Sequence, residues 1–600
     1  MRAPDAPSPL SLAIPALWVF VVPLIAYFLA AHHLTTLAEG TDGVDLGAVA
    51  WERCRPYGFF HDEPGLPDGF CGHVLQFTWA RGVAQTLLGA ALVLLLVIAG
   101  ALGWVSRAPS AQHRGYRLGW TALRVFAVPH VVGQGLLLVF LSFWVTALWF
   151  EVYLLKLIVL AAVLAAFGMG SAFVALFRSH DDVPTQHGKL LQQAEAPEFF
   201  AAVRALAERI GVAPPDQIVV GIDANFFVTE SPLEIFARFP DEQDPAPKTQ
   251  PVHGRTLFAS LALLQVLRPA ECDAILAHEL GHFAHGDTQQ THVLNPLLRS
   301  FAGYMQAVDD NFTFGVASCM HAFHALFLWT SLRHGREAEF AADAVAARTV
   351  GAEQSAHALV KVAAYASYRD QQEATLLERM EQSDDLRIAE RVRAGFLDYL
   401  QTDGFREELL ATVVAHPFDT HPPVADRLER LQLPAPDVAT LAAIAVAAET
   451  TRCDQIPTAD AIAAELWRAY EAQFAAQHDF FIALRLDPQT DAEIAHVERH
   501  FPPLQISSQG AAGDLLVDFR GIVLASQERI AFAEIRGLTH NERTFGGPVL
   551  EIERGEGKTE LPLGQFEDKG AYLMAVVERY MGRHHVAAAQ RAAREDTDAP

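Results

Sequence analysis

Four long apolar runs in the first 177 residues constrain this chain more than any other feature. They hold 22, 25, 26 and 21 residues without Asp, Glu, Lys or Arg: Leu10–Ala31, Gly82–Ser106, Val125–Phe150 and Leu157–Phe177. About 20 apolar residues span the hydrocarbon core of a bilayer. The runs therefore predict a membrane domain over residues 1–180 with four transmembrane helices. A cleaved signal peptide is the alternative for the first run, but its length exceeds the roughly 7–15 apolar residues of such peptides, so we expect a retained anchor.

The loops between these runs differ in charge. The segment Arg107–Arg124 carries four arginines and no acid, whereas His32–Arg81 carries seven acids and three arginines. The positive-inside rule then assigns the first of these segments to the cytoplasm and the second to the outside. Because the fourth span crosses back from the outside, the chain beyond Arg178 is expected in the cytoplasm. The net charge of -26 argues against a nucleic-acid partner, which would require a basic face.

The cysteines fall into two groups. Cys54 and Cys71 lie in the loop predicted to be external, where an oxidising compartment permits a disulfide. Two free thiols are the alternative, and the sequence leaves both open. The other three have no metal-binding spacing, which indicates small buried core residues: Cys272, Cys319 and Cys453.

Beyond residue 180 the chain has the pattern of globular domains. Apolar spacing predicts helices at Pro197–Ile210 and Leu257–Val266. The run Gln217–Glu230 is typical of strands with a break at the centre. Short apolar runs separated by turn residues in Asp514–Leu563 predict strands, and Ala571–Met581 predicts a helix that follows them.

The sequence H-E-L-G-H at residues 278–282 lies in a predicted helix, Ala270–Phe283. His278 and His282 are four residues apart and share a helix face, so both imidazoles can reach one Zn2+. Glu279 lies beside them and can reach a water molecule in the open position of the metal. This pattern is the metallopeptidase signature. A solvated polar helix face is the alternative explanation for so short a motif.

A catalytic zinc needs a third protein ligand. His285 is the nearest candidate, but it lies one turn further along the helix. Glu339, in a second helical segment, is the better candidate because Asp343 shares its face and can support a histidine N–H. Glu337 is the rival, and it points about 200° away around the helix from Glu339.

With H-E-L-G-H, E-F-A-A-D-A and membrane spans together, the chain resembles the membrane zinc metallopeptidases typified by HtpX and the CaaX prenyl proteases. The resemblance implies that His278, His282 and Glu339 bind zinc. It also implies that Glu279 is the catalytic base and that Asp343 is the carboxylate that supports a zinc-binding histidine.

Two further segments carry the resemblance. D-A-N-F-F-V-T-E lies where the family has an edge strand that pairs with substrate, which implies substrate-binding roles for Asn225 and Phe226; here Phe226 replaces the usual Ala. T-H-P-P-V-A-D-R resembles the family's His-Pro segment. It implies that His421 and Arg427 line the cleft and stabilise the oxyanion or substrate carbonyl. A helix N-cap followed by proline is the alternative for this segment.

These observations give an expected fold: an α-helical membrane domain and a mainly α (α+β) zincin-type peptidase domain, with a small β-rich C-terminal domain. We expect a metallopeptidase domain at 181–435, a helical linker at 436–505, the β-rich domain with its helix at 506–583, and a flexible tail at 584–600. The segment Asn311–Leu332 contains no Asp, Glu, Lys or Arg. It could either enter the membrane or pack as core.

The expected function is peptide-bond hydrolysis with one Zn2+ per chain, on peptide or membrane-protein substrates at a lipid bilayer. The expected location is the bacterial inner membrane, with the catalytic domain on the cytoplasmic side that the charged loops indicate, and the expected role is quality control or processing of membrane proteins. Two alternatives stay open. One is a non-catalytic zinc-bearing scaffold that works through its C-terminal β domain, and the other is a membrane enzyme that uses zinc to hydrolyse lipids or cofactors.

Overall fold

The computed structural model describes residues 14, 16–38, 50–58, 61–62, 64, 69–175, 183–240, 244, 247–309, 313, 315–380, 386–410, 422–510, 513–543, 547–555 and 557–597. The chain divides into two compact units. The first contains residues 1–236, 248–364 and 398–463, and the second contains residues 237–247, 365–397 and 464–600.

The first unit begins with four long helices. They are α1 (Trp18–Ala38), α2 (Phe70–Arg107), α3 (Gln112–Phe150) and α4 (Leu155–Ala175). Each is long and apolar enough to cross a membrane, in agreement with the four predicted runs. α2 and α3 hold 38 and 39 residues, which corresponds to lengths of about 57 and 58 Å. Both helices are therefore nearly twice as long as the ~30 Å hydrocarbon core requires.

A proline in α1 creates a contact that joins α1 to α3. Pro23 has no N–H, so the carbonyl of Val19 lacks its helical partner. His130 Nε2 and Gln134 Nε2, both on α3, lie 3.0 and 2.7 Å from that oxygen. Both side chains are buried. The orphaned carbonyl is thus satisfied by a neighbouring helix.

The cysteines near the start of α2 are joined. Cys54 and Cys71 form a disulfide with a Cα–Cα distance of 5.0 Å, which settles the choice that the sequence left open. Asp62 caps the start of α2, where its carboxylate accepts the backbone N–H of Cys71 at 2.8 Å. The remaining cysteines are free and buried, as predicted: Cys272, Cys319 and Cys453.

After α4 the chain alternates short strands and helices. In order, these are β1 (Thr185–His187), β2 (Lys189–Leu191), α5 (Pro197–Ile210), β3 (Gln217–Gly221), β4 (Phe227–Thr229), β5 (Leu233–Phe236), β6 (Gln250–Val252), β7 (Thr256–Ser260), α6 (Leu261–Leu264), α7 (Pro269–His285), α8 (Asp287–Asp309), α9 (Val316–Thr349), α10 (Ala352–Glu378), α11 (Ile388–Tyr399), α12 (Asp403–Leu410), α13 (Val424–Arg430) and α14 (Val438–Ile444). Two sheets form, in the orders β2-β3-β7-β4 and β1-β5-β6.

The predicted helix at Leu257–Val266 is wrong over its first half. Residues 256–260 form β7, a strand buried on both faces between β3 and β4. Only Leu261–Leu264 is helical, and Ser260 caps it by accepting the N–H of Leu263. A short, continuously apolar run has the same pattern in a buried strand and in a buried helix, so periodicity could not separate the two.

The segment Asn311–Leu332, whose location the sequence left open, packs as core over its described part. It supplies the first half of α9, where Phe323 and Phe327 pack against Tyr116 of α3. Tyr116 also hydrogen-bonds through its hydroxyl to His324 Nδ1 at 2.9 Å. α8 contributes Leu294, Phe301, Tyr304 and Val308 to the same buried cluster. Helices α8 and α9 therefore both pack against the long apolar helices.

The second unit contains a β-rich domain. Its elements are α15 (Ala459–Arg485), α16 (Asp491–His500), β8 (Leu504–Ile506), β9 (Leu515–Asp518), β10 (Gly521–Val523), β11 (Arg529–Ala531), β12 (Ile535–Arg543), β13 (Gly547–Arg554), β14 (Gly557–Pro562) and α17 (Ala571–Thr597), of which α15 begins in the first unit. The strands form two antiparallel sheets, β11-β10-β9-β8 and β12-β13-β14. Apolar residues from both sheets and from α17 share one core.

The expected flexible tail at 584–600 is helical through Thr597, because α17 continues well past Met581. Two arginines hold the extension within its unit. Arg583 donates to the backbone carbonyls of Ala483 and Leu486, and Arg591 lies 2.6 Å from a carboxylate oxygen of Asp487. The alanine-rich composition suits a helix, and these arginines fix it.

Candidate metal centre

Helix α7 carries the H-E-L-G-H sequence and is anchored at its start. Pro269 occupies the first turn, and Glu271 accepts the backbone N–H of Arg268 at 2.8 Å. Glu271 also forms a 2.7 Å ion pair with Lys361 of α10, and both side chains are fully buried. Burial lowers the pKa of Lys361, although Glu271 partly offsets this effect. A buried pair of this kind fixes where α7 begins.

The side chains of three residues converge where α7 meets α9. His278 and His282 project from α7, and Glu339 projects from α9, with candidate ligand atoms all within 4.8 Å of one another. His278 Nε2 lies 3.5 Å from Glu339 Oε2, and His282 Nε2 lies 3.6 Å from Glu339 Oε1. Donors about 2.0–2.1 Å from one tetrahedral zinc lie about 3.4 Å apart. The donor types and their spacing therefore fit a zinc ion.

Gly281 allows α7 and α9 to approach closely. A Cβ atom at this position would lie 3.2 Å from the Cα of Ala342 and 3.4 Å from the Cβ of Val345. These distances are tight, so a larger side chain would push the two helices apart. The glycine inside the H-E-L-G-H sequence thus helps to bring Glu339 to the two histidines, a role that the sequence analysis missed.

Asp343 and Arg427 form a second layer around His278. His278 Nδ1 lies 3.0 Å from Asp343 Oδ1, so its other ring nitrogen is turned towards Glu339. Arg427 donates to both oxygens of Asp343, from Nε at 2.8 Å and from Nη2 at 2.6 Å. Asp343 and Arg427 are both nearly inaccessible to solvent. The bidentate pair holds the carboxylate in one orientation.

The electrostatics of this layer favour a cation between the ligands. Burial acts to lower the pKa of His278, but hydrogen bonds to Asp343 and Glu339 outweigh it and raise the pKa to about 9. Burial acts in the opposite sense on Asp343, and its bonds to Arg427 and His278 outweigh it, so the pKa of Asp343 is lowered. A proton on His278 and a metal ion satisfy the same demand for positive charge.

Arg427 is buried beside the converging residues, with only 8% of its surface exposed. The role that the resemblance implied for it, lining the cleft and stabilising the oxyanion, stays a prediction. Arg427 Nη2 lies 3.3 Å from His278 Nδ1 and 3.7 Å from Glu339 Oε2. Its guanidinium faces the carboxylate of Asp343, which in turn contacts His278. No pattern in the sequence indicated this partner.

The remaining candidates are distributed as follows. Glu279 follows His278 on α7 and is only partly buried. His285 is exposed, and its Nδ1 lies 3.0 Å from the carbonyl of Gly281 in its own helix. Glu337 is exposed and lies 3.6 Å from Arg430. Among the residues that the structure describes, neither rival ligand belongs to the converging group.

The two proposed substrate-binding residues precede an edge strand. β4 is the last strand of its sheet and pairs antiparallel with β7 on one side. Asn225 is exposed, whereas Phe226 is buried. β4 also packs against α7, the helix that carries the two histidines. His421 lies outside the described residues.

Comparison with known proteins gives a consistent result. Residues 252–435 match Peptidase family M48. A protein named "Protease HtpX homolog" from Polynucleobacter necessarius subsp. necessarius is 27% identical over 289 residues, which are 45% of this chain and 85% of that protein. Another of the same name from Acidiphilium cryptum is 27% identical over 287 residues, with 45% and 86% covered. No solved structure matches the chain.

The matched family segment includes the converging histidines, Glu339 and the supporting residues Asp343 and Arg427. The chain also has four helices that are able to span a membrane. Residues 252–435 are therefore similar to peptidase family M48, and the chain, with its four helices able to span a membrane, is similar to proteins named Protease HtpX.

Proposed function

We propose that this protein is a zinc-dependent endopeptidase that cuts peptide bonds in unfolded or membrane-anchored proteins. The observation that carries the proposal is the convergence of His278, His282 and Glu339 beside a partly accessible Glu279. Three protein donors leave the fourth position of a tetrahedral metal open, as catalytic sites require. A purely structural zinc site would close that position with a fourth side chain.

In the proposed mechanism, His278, His282 and Glu339 would hold a zinc ion, which would acidify a water molecule and polarise the scissile carbonyl. Glu279 takes the proton from the attacking water and passes it to the leaving amine. Asp343 and Arg427 hold the imidazole of His278 so that Nε2 points at the metal position. His421 donates to the developing oxyanion, as the family resemblance implies. We assign Arg427 to orientation because its contacts are with Asp343.

Substrate binding is proposed at β4. The strand is short and lies at the edge of its sheet, so its outer backbone groups can pair with an extended peptide. Asn225, just before the strand, is exposed and can donate or accept through its amide. Phe226 is buried and contributes by packing, which holds the beginning of the strand in place. Backbone pairing favours peptides over lipids as substrates.

The experiment that tests catalysis compares wild type with Glu279→Gln. Glutamine keeps the size of the side chain but cannot accept a proton, so casein cleavage in detergent should fall by ~100-fold or more. Zinc content and thermal stability should match wild type. Cleavage by Glu279→Gln at the wild-type rate would refute the proposed mechanism. If wild type binds zinc and leaves casein and its own chain intact, the scaffold alternative gains support.

We also propose that the peptidase domain lies on the cytoplasmic side of a bacterial inner membrane. The arginines of the segment 107–124 support this orientation. Reporter fusions at Ala111 and Gly188 should be cytoplasmic, and a fusion at Gly65 should be external. An external signal at Gly188 would reverse the proposed orientation.

A further inference from the structure

The first unit contains a cavity that the proposed mechanism does not use. It has a volume of about 540 Å³ and lies between α10, α13 and α14. One wall is formed by four residues of α10 at positions i, i+3, i+4 and i+7: Glu353, Ala356, His357 and Val360. This spacing places them on one face of the helix. The volume falls within the range of roughly 300–1,000 Å³ that is usual for pockets that bind small molecules.

The opposite wall comes from α13, from α14 and from the segment that joins them. Leu428 of α13 and Ile444 of α14 line the cavity, and both are buried. Pro434 and Pro436 line it from the joining segment. The proline ring locks φ, so the backbone of this segment has little freedom. The cavity therefore has apolar walls whose shape is largely set by the fold.

The cavity and the metal centre lie on different faces of the helices that they share. Val360 and Leu428 line the cavity, whereas their neighbours Lys361 and Arg427 form the buried ion pairs described above. Successive residues point about 100° apart around a helix. None of the three converging metal ligands lines the cavity. A molecule bound there would thus occupy a site separate from the metal position.

The charged residues that line the cavity are all acidic. Glu353 and Asp437 carry carboxylates, and no Lys or Arg is found in the lining formed by the described part of the chain. A hydrogen bond from the backbone N–H of Thr440 lowers the pKa of Asp437, so this carboxyl is ionised at neutral pH. Burial lowers the pKa of His357, so its imidazole is neutral there and adds no positive charge. The cavity thus combines two negative charges with an apolar surface.

The two helix starts beside the cavity do not favour an anion. The N–H groups at the start of a helix usually attract negative charge, but here the protein supplies that charge itself. Glu353 lies in the first turn of α10, and Asp437 accepts the N–H of Thr440 at 2.8 Å at the start of α14. Both carboxylates would repel an anionic ligand and attract a cationic one.

We propose that this cavity binds a small organic cation with an apolar body, such as an amine or a guanidinium compound. The apolar walls would cover the body of the ligand, and Glu353 and Asp437 would attract its charged group. The site is distinct from the proposed peptidase centre, and the inference holds whether or not that centre cuts peptide bonds.

The test measures binding of phenethylammonium to the full-length protein in detergent by isothermal titration calorimetry, with protein-free micelles as the blank. Phenylpropionate is the matched probe, because it has the same phenylethyl body and the opposite charge. The double variant Glu353→Gln/Asp437→Asn removes both charges, and asparagine caps a helix start about as well as aspartate. Glu378→Gln is the control, since Glu378 is exposed at the other end of α10 and does not line the cavity. Glu339→Gln reveals any binding of the amine at the metal centre.

Wild type should bind phenethylammonium at least ~10-fold more tightly than phenylpropionate, because only the cation is attracted by the two carboxylates. The double variant should bind phenethylammonium about five-fold more weakly or worse, since partly exposed ion pairs contribute modestly. Glu378→Gln and Glu339→Gln should bind it as wild type does. The inference is overturned if wild type does not bind the amine at millimolar concentration, or binds both probes equally. Unchanged affinity in the double variant, or loss of binding in Glu339→Gln, would also overturn it.

Discussion

The metal centre and the C-terminal β-rich domain are held together by different kinds of contact. Around the metal centre, buried charged groups from four helices form ion pairs: Glu271 with Lys361, His278 with Asp343, and Asp343 with Arg427. In the β-rich domain, two sheets and α17 enclose a core of aliphatic and aromatic residues. Buried polar contacts fix orientation, whereas apolar burial supplies stability with little directional preference. Substitutions around the metal centre should therefore reduce metal binding, whereas substitutions in the core of the β-rich domain should reduce stability.

The largest expected effect is loss of the metal when a ligand is removed. Glu339→Gln keeps the shape of the side chain but removes the negative charge that faces both histidines. Zinc measured in the purified protein by mass spectrometry should fall about ten-fold or more from one ion per chain. The matched control is Glu337→Gln, an exposed residue two positions away that should leave the metal unchanged. If Glu339→Gln retained zinc and Glu337→Gln lost it, Glu337 rather than Glu339 would be the third ligand.

The β-rich domain should instead lose stability without losing metal. Leu550 of β13 has no exposed surface, and Leu550→Ala should cost about 2–5 kcal/mol. Hydrogen exchange measured by mass spectrometry should accelerate in β12–β14, while zinc content stays at the wild-type level. Tyr572→Ala on the exposed face of α17 is the control and should change exchange little. A loss of zinc in Leu550→Ala would show that the two regions are not independent in this sense.

The smallest expected effect concerns the layer behind the histidine. Arg427→Met removes the two bonds to Asp343 but keeps an unbranched, mainly apolar side chain. Zinc affinity in a chelator competition should fall by about 10–100-fold, the usual range for outer-layer partners of a metal site. Arg430→Met, three residues away and exposed, is the control. Equal affinities in the two variants would mean that the buried arginine does not orient His278.

The same contrast explains what could be predicted from the sequence. Apolar runs and the H-E-L-G-H spacing are local patterns, so four membrane helices and the two histidines on one helix face followed directly from them. The third ligand required a choice between distant carboxylates, and Glu339 lies at the centre while Glu337 does not. The helix predicted from Leu257 was wrong over its first half. A strand buried on both faces is apolar at every position, so it lacks the periodicity that distinguishes a strand from a helix.

Contacts between distant segments were beyond the reach of these patterns. Nothing in the sequence indicated that Lys361 would neutralise Glu271, or that Gly281 would let α9 approach α7. The partner of Arg427 was missed for the same reason, since 84 residues separate it from Asp343. The helix beyond Met581 also depends on distant partners, the carbonyl groups near residue 485 to which Arg583 donates. Such contacts depend on the fold as a whole.

The carbonyl of Val19, left without a helical partner by Pro23, has a consequence for assembly. Apolar packing between helices in lipid has little preference for one sliding position over another, since the lipid tails are as apolar as the side chains. An unsatisfied carbonyl there costs several kcal/mol, so α1 can dock on α3 only where His130 and Gln134 reach it. A shift of one helical turn would lose both bonds. The missing N–H of Pro23 thus fixes the position of α1 along α3.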